Sequence, residues 1–187
     1  MRVITGSARG RRLKTLDSLD IRPTPDAVKE AVFSVVQFDV PTASVLDLFA
    51  GSGQLGIEAL SRGAAHCVFV DMNPDAIAVV RENLAACKFP VSQTRILHMD
   101  ALEYAKISKG GFDLAFLDPP YRNGLLEKAL PFLGDKMNPG GKVICEHESE
   151  LTLPDSFEGL TLHKRYRYGK VSVTIYTAGT EDGDNNE

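Results

Sequence analysis

Apolar residues recur along this chain in two periods. Short, nearly continuous runs at 43–49, 66–71, 93–100, 112–118 and 141–148 read as strands buried on both faces. The segments between them carry apolar residues at helical spacing. Val28, Val32, Val35 and Val36 form one such stripe, with Thr24 placed to cap the helix and Pro25 at its first position. "QLGIEALSRG", closed by Gly63, "NPDAIAVVRENLAACK", "ALEYAKI" and a stretch around 124–134 supply the other helices. Near the C-terminus "LTLHKRYRYGKVSVTIYT" alternates strictly and predicts two strands turning near Gly169. At the other end, "RVITG" and "RRLKTL" flank a glycine-containing turn and predict a short hairpin. Strands alternating with helices imply an α/β fold: a mostly parallel sheet of seven strands, helices on both faces, and a C-terminal antiparallel hairpin.

Composition adds limits. Apolar residues make up 43% and charged residues 25% of 187 residues, the balance of one ordinary globular domain. No apolar run approaches a membrane span, and "MRVITGSARGRR" lacks a signal-peptide core. Cys67, Cys87 and Cys145 form no C-x-x-C pair, which disfavours a disulfide framework or zinc site and predicts a cytoplasmic home. His66, His98, His147 and His163 lack metal-ligand spacing and read as structural, and no metal is expected. The net charge of −4 conceals a basic arm over 1–22 and an acidic, disordered tail over 179–187, with the main domain spanning 23–178. Arg9, Arg11, Arg12 and Arg22 make the arm a candidate surface for a polyanion such as RNA. The cations and tyrosines of 163–170 could serve similarly, although a hairpin with one solvated face would look the same.

Two motifs carry chemistry. Gly51, Gly53 and Gly56 stand in G-x-G-x-x-G spacing directly after a strand and at the opening of a helix. That context lets the backbone approach a ligand closely and favours negative charge at the helix end. Asp71 follows at the end of the next strand, where a carboxylate can hold ribose hydroxyls. The competing reading is a tight turn with Asp71 capping the following helix. Asp47, inside the first strand, favours a ligand bearing a cationic amino group, S-adenosylmethionine rather than NAD. Asp100 ends the third strand and is either an adenine acceptor or a helix cap.

The second motif, "LDPPY", closes the strand at 112–118. In open α/β sheets ligands sit beyond the carboxyl strand ends where strand order reverses, so this turn should lie beside the glycine loop. Asp118 and the Pro119 carbonyl can each accept an N–H of an exocyclic base amine, aiming its lone pair at an electrophilic methyl. Pro119 and Pro120 would hold that carbonyl rigidly. Tyr121 would offer its ring to a base swung out of its stack, its hydroxyl playing no part. A bare strand-ending turn is the alternative. Glu146 and Glu148, at the end of the fifth strand, stay unassigned between pocket and solvent.

"LDLFAGSG" together with "LDPPY" resembles the S-adenosylmethionine-dependent methyltransferases that act on exocyclic amines. With "MRVITGSARGRRLKTL", "RPTPDAVKEAVF", "GIEALSRGA" and "YGKVSVTIY", the chain resembles the bacterial 16S ribosomal RNA guanine-N2 methyltransferases of the RsmD type, over residues 1 to about 178. The resemblance implies a Rossmann-like class I methyltransferase fold, S-adenosylmethionine as cofactor, and 16S ribosomal RNA or a small-subunit assembly intermediate as partner of a monomer. It implies cofactor contacts from Asp47, Phe49, Ala50, Gly51 and Gly53 at the methionine end. Asp71 and Met72 would serve the ribose side, and Asp100 and Ala101 the adenine side. Asp118, Pro119, Pro120 and Tyr121 would receive the guanine. Members often have Glu where Asp71 stands. An adenine-N6 methyltransferase uses the same turn but usually carries a separate recognition region, and a non-catalytic nucleotide-binding module is the remaining alternative.

Overall fold

β1 (Ser44–Asp47), β2 (His66–Asp71), β3 (Thr94–His98), β4 (Phe112–Leu117) and β5 (Met137–Glu148) run parallel in a computed structural model that describes residues 1–16 and 26–179. β6 (Ser156–Phe157), β7 (Leu160–Tyr168) and β8 (Val171–Ala178) complete one sheet in the order β3-β2-β1-β4-β5-β8-β7-β6. The C-terminal pair is antiparallel, and β8 inserts between β5 and β7. The count is eight strands rather than seven because β6, two residues pairing with Leu160 and Thr161, is too short to show alternation in sequence.

α1 (Asp26–Val35), α2 (Gln54–Ser61) and α3 (Pro74–Cys87) pack on one face, where Phe33, Leu55, Leu60 and Val80 meet Val45 and Phe116. α4 (Ala101–Ile107) and α5 (Leu125–Ala129) cover the other, where Tyr104, Leu126 and Leu130 meet Leu46 and Leu117. The predicted helix around 124–134 is shorter than its apolar pattern. Pro131 lacks an N–H, and the chain continues beyond Ala129 as 3₁₀ turns. Thr24, Pro25, Arg22 and the acidic tail from residue 180 lie outside the described residues.

Two features position the site. α2 lies against β2 so closely that a Cβ on Gly56 would stand 2.3 Å from Phe69 Cε1 and 2.6 Å from Cys67 Sγ. The third glycine of the motif thus serves helix–sheet packing. The N-terminal segment is docked on α2. An antiparallel bridge joins Arg2 to Arg12, and Val3, Ala8 and Leu13 are buried. The Glu58 carboxylate accepts the N–H groups of Ile4 (2.8 Å) and Thr5 (3.0 Å), and Ser61 Oγ accepts that of Ala8 (2.9 Å). Lys29 Nζ lies 3.8 Å from Glu58 and donates to the Arg2 carbonyl at 2.8 Å. Arg62 Nε meets Glu58 at 2.8 Å. Glu58 and Lys29 are fully buried, so this pairing is what makes their charges tolerable.

Candidate active site

Each parallel strand ends on an acid. Following the sheet order, Asp100 comes just after β3, Asp71 ends β2, Asp47 ends β1, Asp118 follows β4, and Glu146 lies near the end of β5. With strands about 4.8 Å apart, the row spans roughly 20 Å across the carboxyl edge of the sheet. Strand order reverses between β1 and β4, so Asp47 and Asp118 flank the switch point. Asp47 pairs in register with Phe116, and side chains alternate, so Asp118 shares the face of Asp47.

The first three acids organise backbone. Gly51 and Gly53 adopt φ of 52° and 78°, left-handed values that side chains disfavour. The Gly51 N–H donates to Asp71 Oδ2 at 2.8 Å, and the Asn73 N–H to Asp71 Oδ1 at 2.8 Å. Asp71 therefore ties the glycine loop to the end of β2, while Asn73 caps α3 by accepting the Asp75 N–H. Asn83, 1% exposed, clamps the loop from below, donating to the Ser52 carbonyl and exchanging bonds with the Lys14 backbone. Asp100 caps α4, accepting the N–H groups of Leu102 and Glu103. Both of those bonds fall on Oδ1.

Asp47 is the most constrained acid. It is 1% exposed and accepts the Gly56 N–H at 2.9 Å. Burial pushes its carboxyl up to about 7; the Gly56 bond opposes this, and nearby Asp118 and Asp71 add to it. A buried carboxylate beside two others is a place where a cation would be welcome. Ala50 is buried beside it, Phe49 follows β1, Ala101 opens α4 beyond β3, and Met72 is exposed with its carbonyl held by His98 Nε2.

Pro119 to Tyr121, directly after Asp118, line a cleft of about 240 Å³ with Glu146, His147 and Leu151. Pro119 is buried, and Tyr121 is 40% exposed. The Tyr121 hydroxyl donates to Glu146 Oε1 at 3.3 Å, long for such a bond, so the hydroxyl has a partner the sequence did not supply. Burial, then Glu146 and Asp118, push the Tyr121 phenol well above its ordinary value. The Arg122 N–H donates to Glu148 Oε1 at 3.2 Å. Glu146 and Glu148 thus belong to the pocket side. Their signal in sequence was only their place at a strand's carboxyl end, shared with the other acids.

Among the described residues of the arm, Arg11 lies away from this row. Arg11 lines a cleft of about 590 Å³ with Lys88, Phe89 and Pro90. Thr42, Ala64 and Ala65 in the same wall precede β1 and β2, so this larger cleft sits at the opposite end of the sheet. Arg9 and Arg12 are exposed. In the 163–170 stretch, Tyr166 and Tyr168 stack at 6.3 Å and lean on the core, and Arg165 bonds the Leu153 carbonyl. Among the described residues no group of three or more His, Cys, Asp or Glu could hold a metal, and no helix is long and apolar enough to cross a membrane.

Comparison with known proteins adds a relationship over nearly the whole length. The family model described as Conserved hypothetical protein 95 matches residues 1–177. YlbH of Bacillus subtilis is 39% identical over 181 residues, covering 94% of this chain and 98% of that protein. Ribosomal RNA small subunit methyltransferase D of Escherichia coli is 34% identical over 189 residues, covering 98% and 94%. The solved structure of YhhF from Escherichia coli superposes with a TM-score of 0.85 at 34% identity, covering 97% of this chain and 99% of that one.

Proposed function

This chain belongs to the Conserved hypothetical protein 95 family, the family of the ribosomal RNA small subunit methyltransferase D proteins, and from that premise we propose that it methylates the exocyclic N2 amine of a guanine in 16S ribosomal RNA with S-adenosylmethionine as donor. The observation that carries the reading is the placement of Asp118 beside Asp47 across the switch point, one serving the substrate and the other the cofactor. The donor fits this edge of the sheet: Asp47 is a buried acid suited to its ammonium, Asp71 holds the ribose hydroxyls, and Asp100 accepts from the adenine amine. Phe49, Ala50, Gly51, Gly53, Met72 and Ala101 complete that surface.

When bound, the donor supplies a methyl on a sulfonium, open to in-line displacement. The chain's own part is orientation and electrostatics. Asp118 and the Pro119 carbonyl accept the two N–H bonds of the target amine and turn its lone pair toward the methyl. The amine proton becomes acidic only once the new bond forms, so Asp118 need not be a strong base. Tyr121 presents its ring to the extruded base. Arg9, Arg11, Arg12 and Arg22 contact RNA, Arg11 away from the reacting base. The protein acts in the cytoplasm, as a monomer, on 16S RNA or an assembling small subunit.

Mass mapping of 16S RNA from a strain lacking this gene tests the reading. One guanine is expected to lose a methyl and to regain it on incubation with the purified protein and S-adenosylmethionine. An unchanged methylation map would sink it.

Asp47 gives a second expected result. Its carboxyl is largely protonated below about 7 in the free protein, and a bound ammonium favours the ionised form. The bound-state value is therefore the lower one, so binding releases a proton and tightens as pH rises. Affinity for S-adenosylmethionine should increase about tenfold from pH 6 to pH 8, and Asp47→Asn should bind weakly with a flat profile. Calorimetry showing the same pH-independent affinity in both proteins would remove Asp47 from the ammonium site.

A further inference from the structure

Asp118 is not the last acid of the row. The β4–β5 register pairs Leu117 with Cys145, so the next residues, Asp118 and Glu146, stand side by side on one face of the sheet. Glu146 is 6% exposed, yet it lines the cleft shared by Pro119, Pro120 and Tyr121. It lies two strands from Asp47, on the side away from the glycine loop, so it belongs with the substrate rather than the cofactor. An ionised carboxylate has about four acceptor positions, so it can hold the Tyr121 hydroxyl together with other donors.

Three RNA bases carry an exocyclic amine, and they differ at the ring nitrogen beside it. Guanine presents N1–H, a donor. Adenine N1 and cytosine N3 present lone pairs. A carboxylate next to the amine's own acceptor would bond guanine at two adjacent donors and repel the other two bases. Resting on the guanine reading above, we propose that Glu146 is the specificity residue, accepting guanine N1–H while Asp118 and the Pro119 carbonyl hold the N2 amine. Tyr121 then has two functions: its ring stacks on the base, and its hydroxyl steadies the carboxylate that reads it.

The test uses small subunits reconstituted with 16S RNA carrying either guanine or 2-aminopurine at the mapped position. 2-Aminopurine keeps the amine but has a bare acceptor at N1. The wild-type protein should prefer guanine by about 10²-fold or more, the direction expected when a site built around a donor meets a base lacking it. In Glu146→Gln, whose amide can donate to the bare nitrogen, transfer to guanine should fall and the preference should shrink at least about tenfold. Cofactor affinity, read by calorimetry, should stay unchanged. Glu146→Asp keeps the charge but draws it back, and should lose rate on guanine while still rejecting 2-aminopurine. A wild-type preference retained in Glu146→Gln, or lost equally in Glu146→Asp, would overturn the assignment. Wild-type protein that methylates neither RNA would overturn the guanine reading itself.

Discussion

Replacing Asp118 with alanine is expected to slow methyl transfer about 10²–10³-fold, the scale on which losing one preorganised electrostatic partner acts. The Pro119 carbonyl would remain as the proposed second acceptor on the amine, which is why the rate should fall and not vanish. Cofactor affinity should scarcely suffer, because the Gly51–Asp71 bond and the Asn83 clamp lie on the other side of the switch point. Single-turnover transfer to small subunits from the deletion strain, with calorimetry of the cofactor, separates the two effects. A rate within about threefold of wild type would remove Asp118 from the reaction.

The largest loss of stability is expected from Glu58→Ala. It strips Lys29 of its counter-charge in a fully buried place and leaves the Ile4 and Thr5 N–H groups without their acceptor. Breaking a buried pair on one side typically costs about 3–5 kcal/mol, mostly from the uncompensated charge. Burial already drives the Lys29 ammonium below its ordinary value against the pull of Glu58, so removing that pull favours the neutral amine. Replacing both residues, Glu58→Met with Lys29→Met, should recover much of the loss. Urea unfolding gives both numbers. A single variant within about 1 kcal/mol of wild type would show that the hairpin does not depend on this buried pair.

Much of this molecule can be read from its residues, because the relevant signals are local. The Gly51–Gly53–Gly56 spacing needs left-handed turns and a close helix approach, and the structure uses it for both. Asp71 and Asp118 sit where strands end, and strand ends are visible as the limits of apolar runs. Less legible are residues whose role depends on a distant partner. Glu58, in mid-helix, reads as a solvated acid until Ile4, Thr5 and Lys29 close around it. Asn83 looks like an ordinary helix-surface amide, although it is 1% exposed and joins Ser52 to Lys14. The Glu146–His147–Glu148 run does not reveal which side chains face the pocket, because two acids and a histidine have no hydropathic alternation. Register with β4 decides it.

The docked hairpin has a consequence for the order of folding during synthesis. Residues 1–14 leave the ribosome before the groups that hold most of their backbone, which lie 53 to 69 positions further along: Glu58, Ser61 and, for Lys14, Asn83. Until α2 and α3 have emerged and packed on β1 and β2, the segment lacks these acceptors and donors, and such long-range closure is slow. Early emergence therefore brings no early structure. Lys14 and Ser52 share the single amide of Asn83, so the glycine loop and the hairpin are expected to become protected from hydrogen exchange in the same late step.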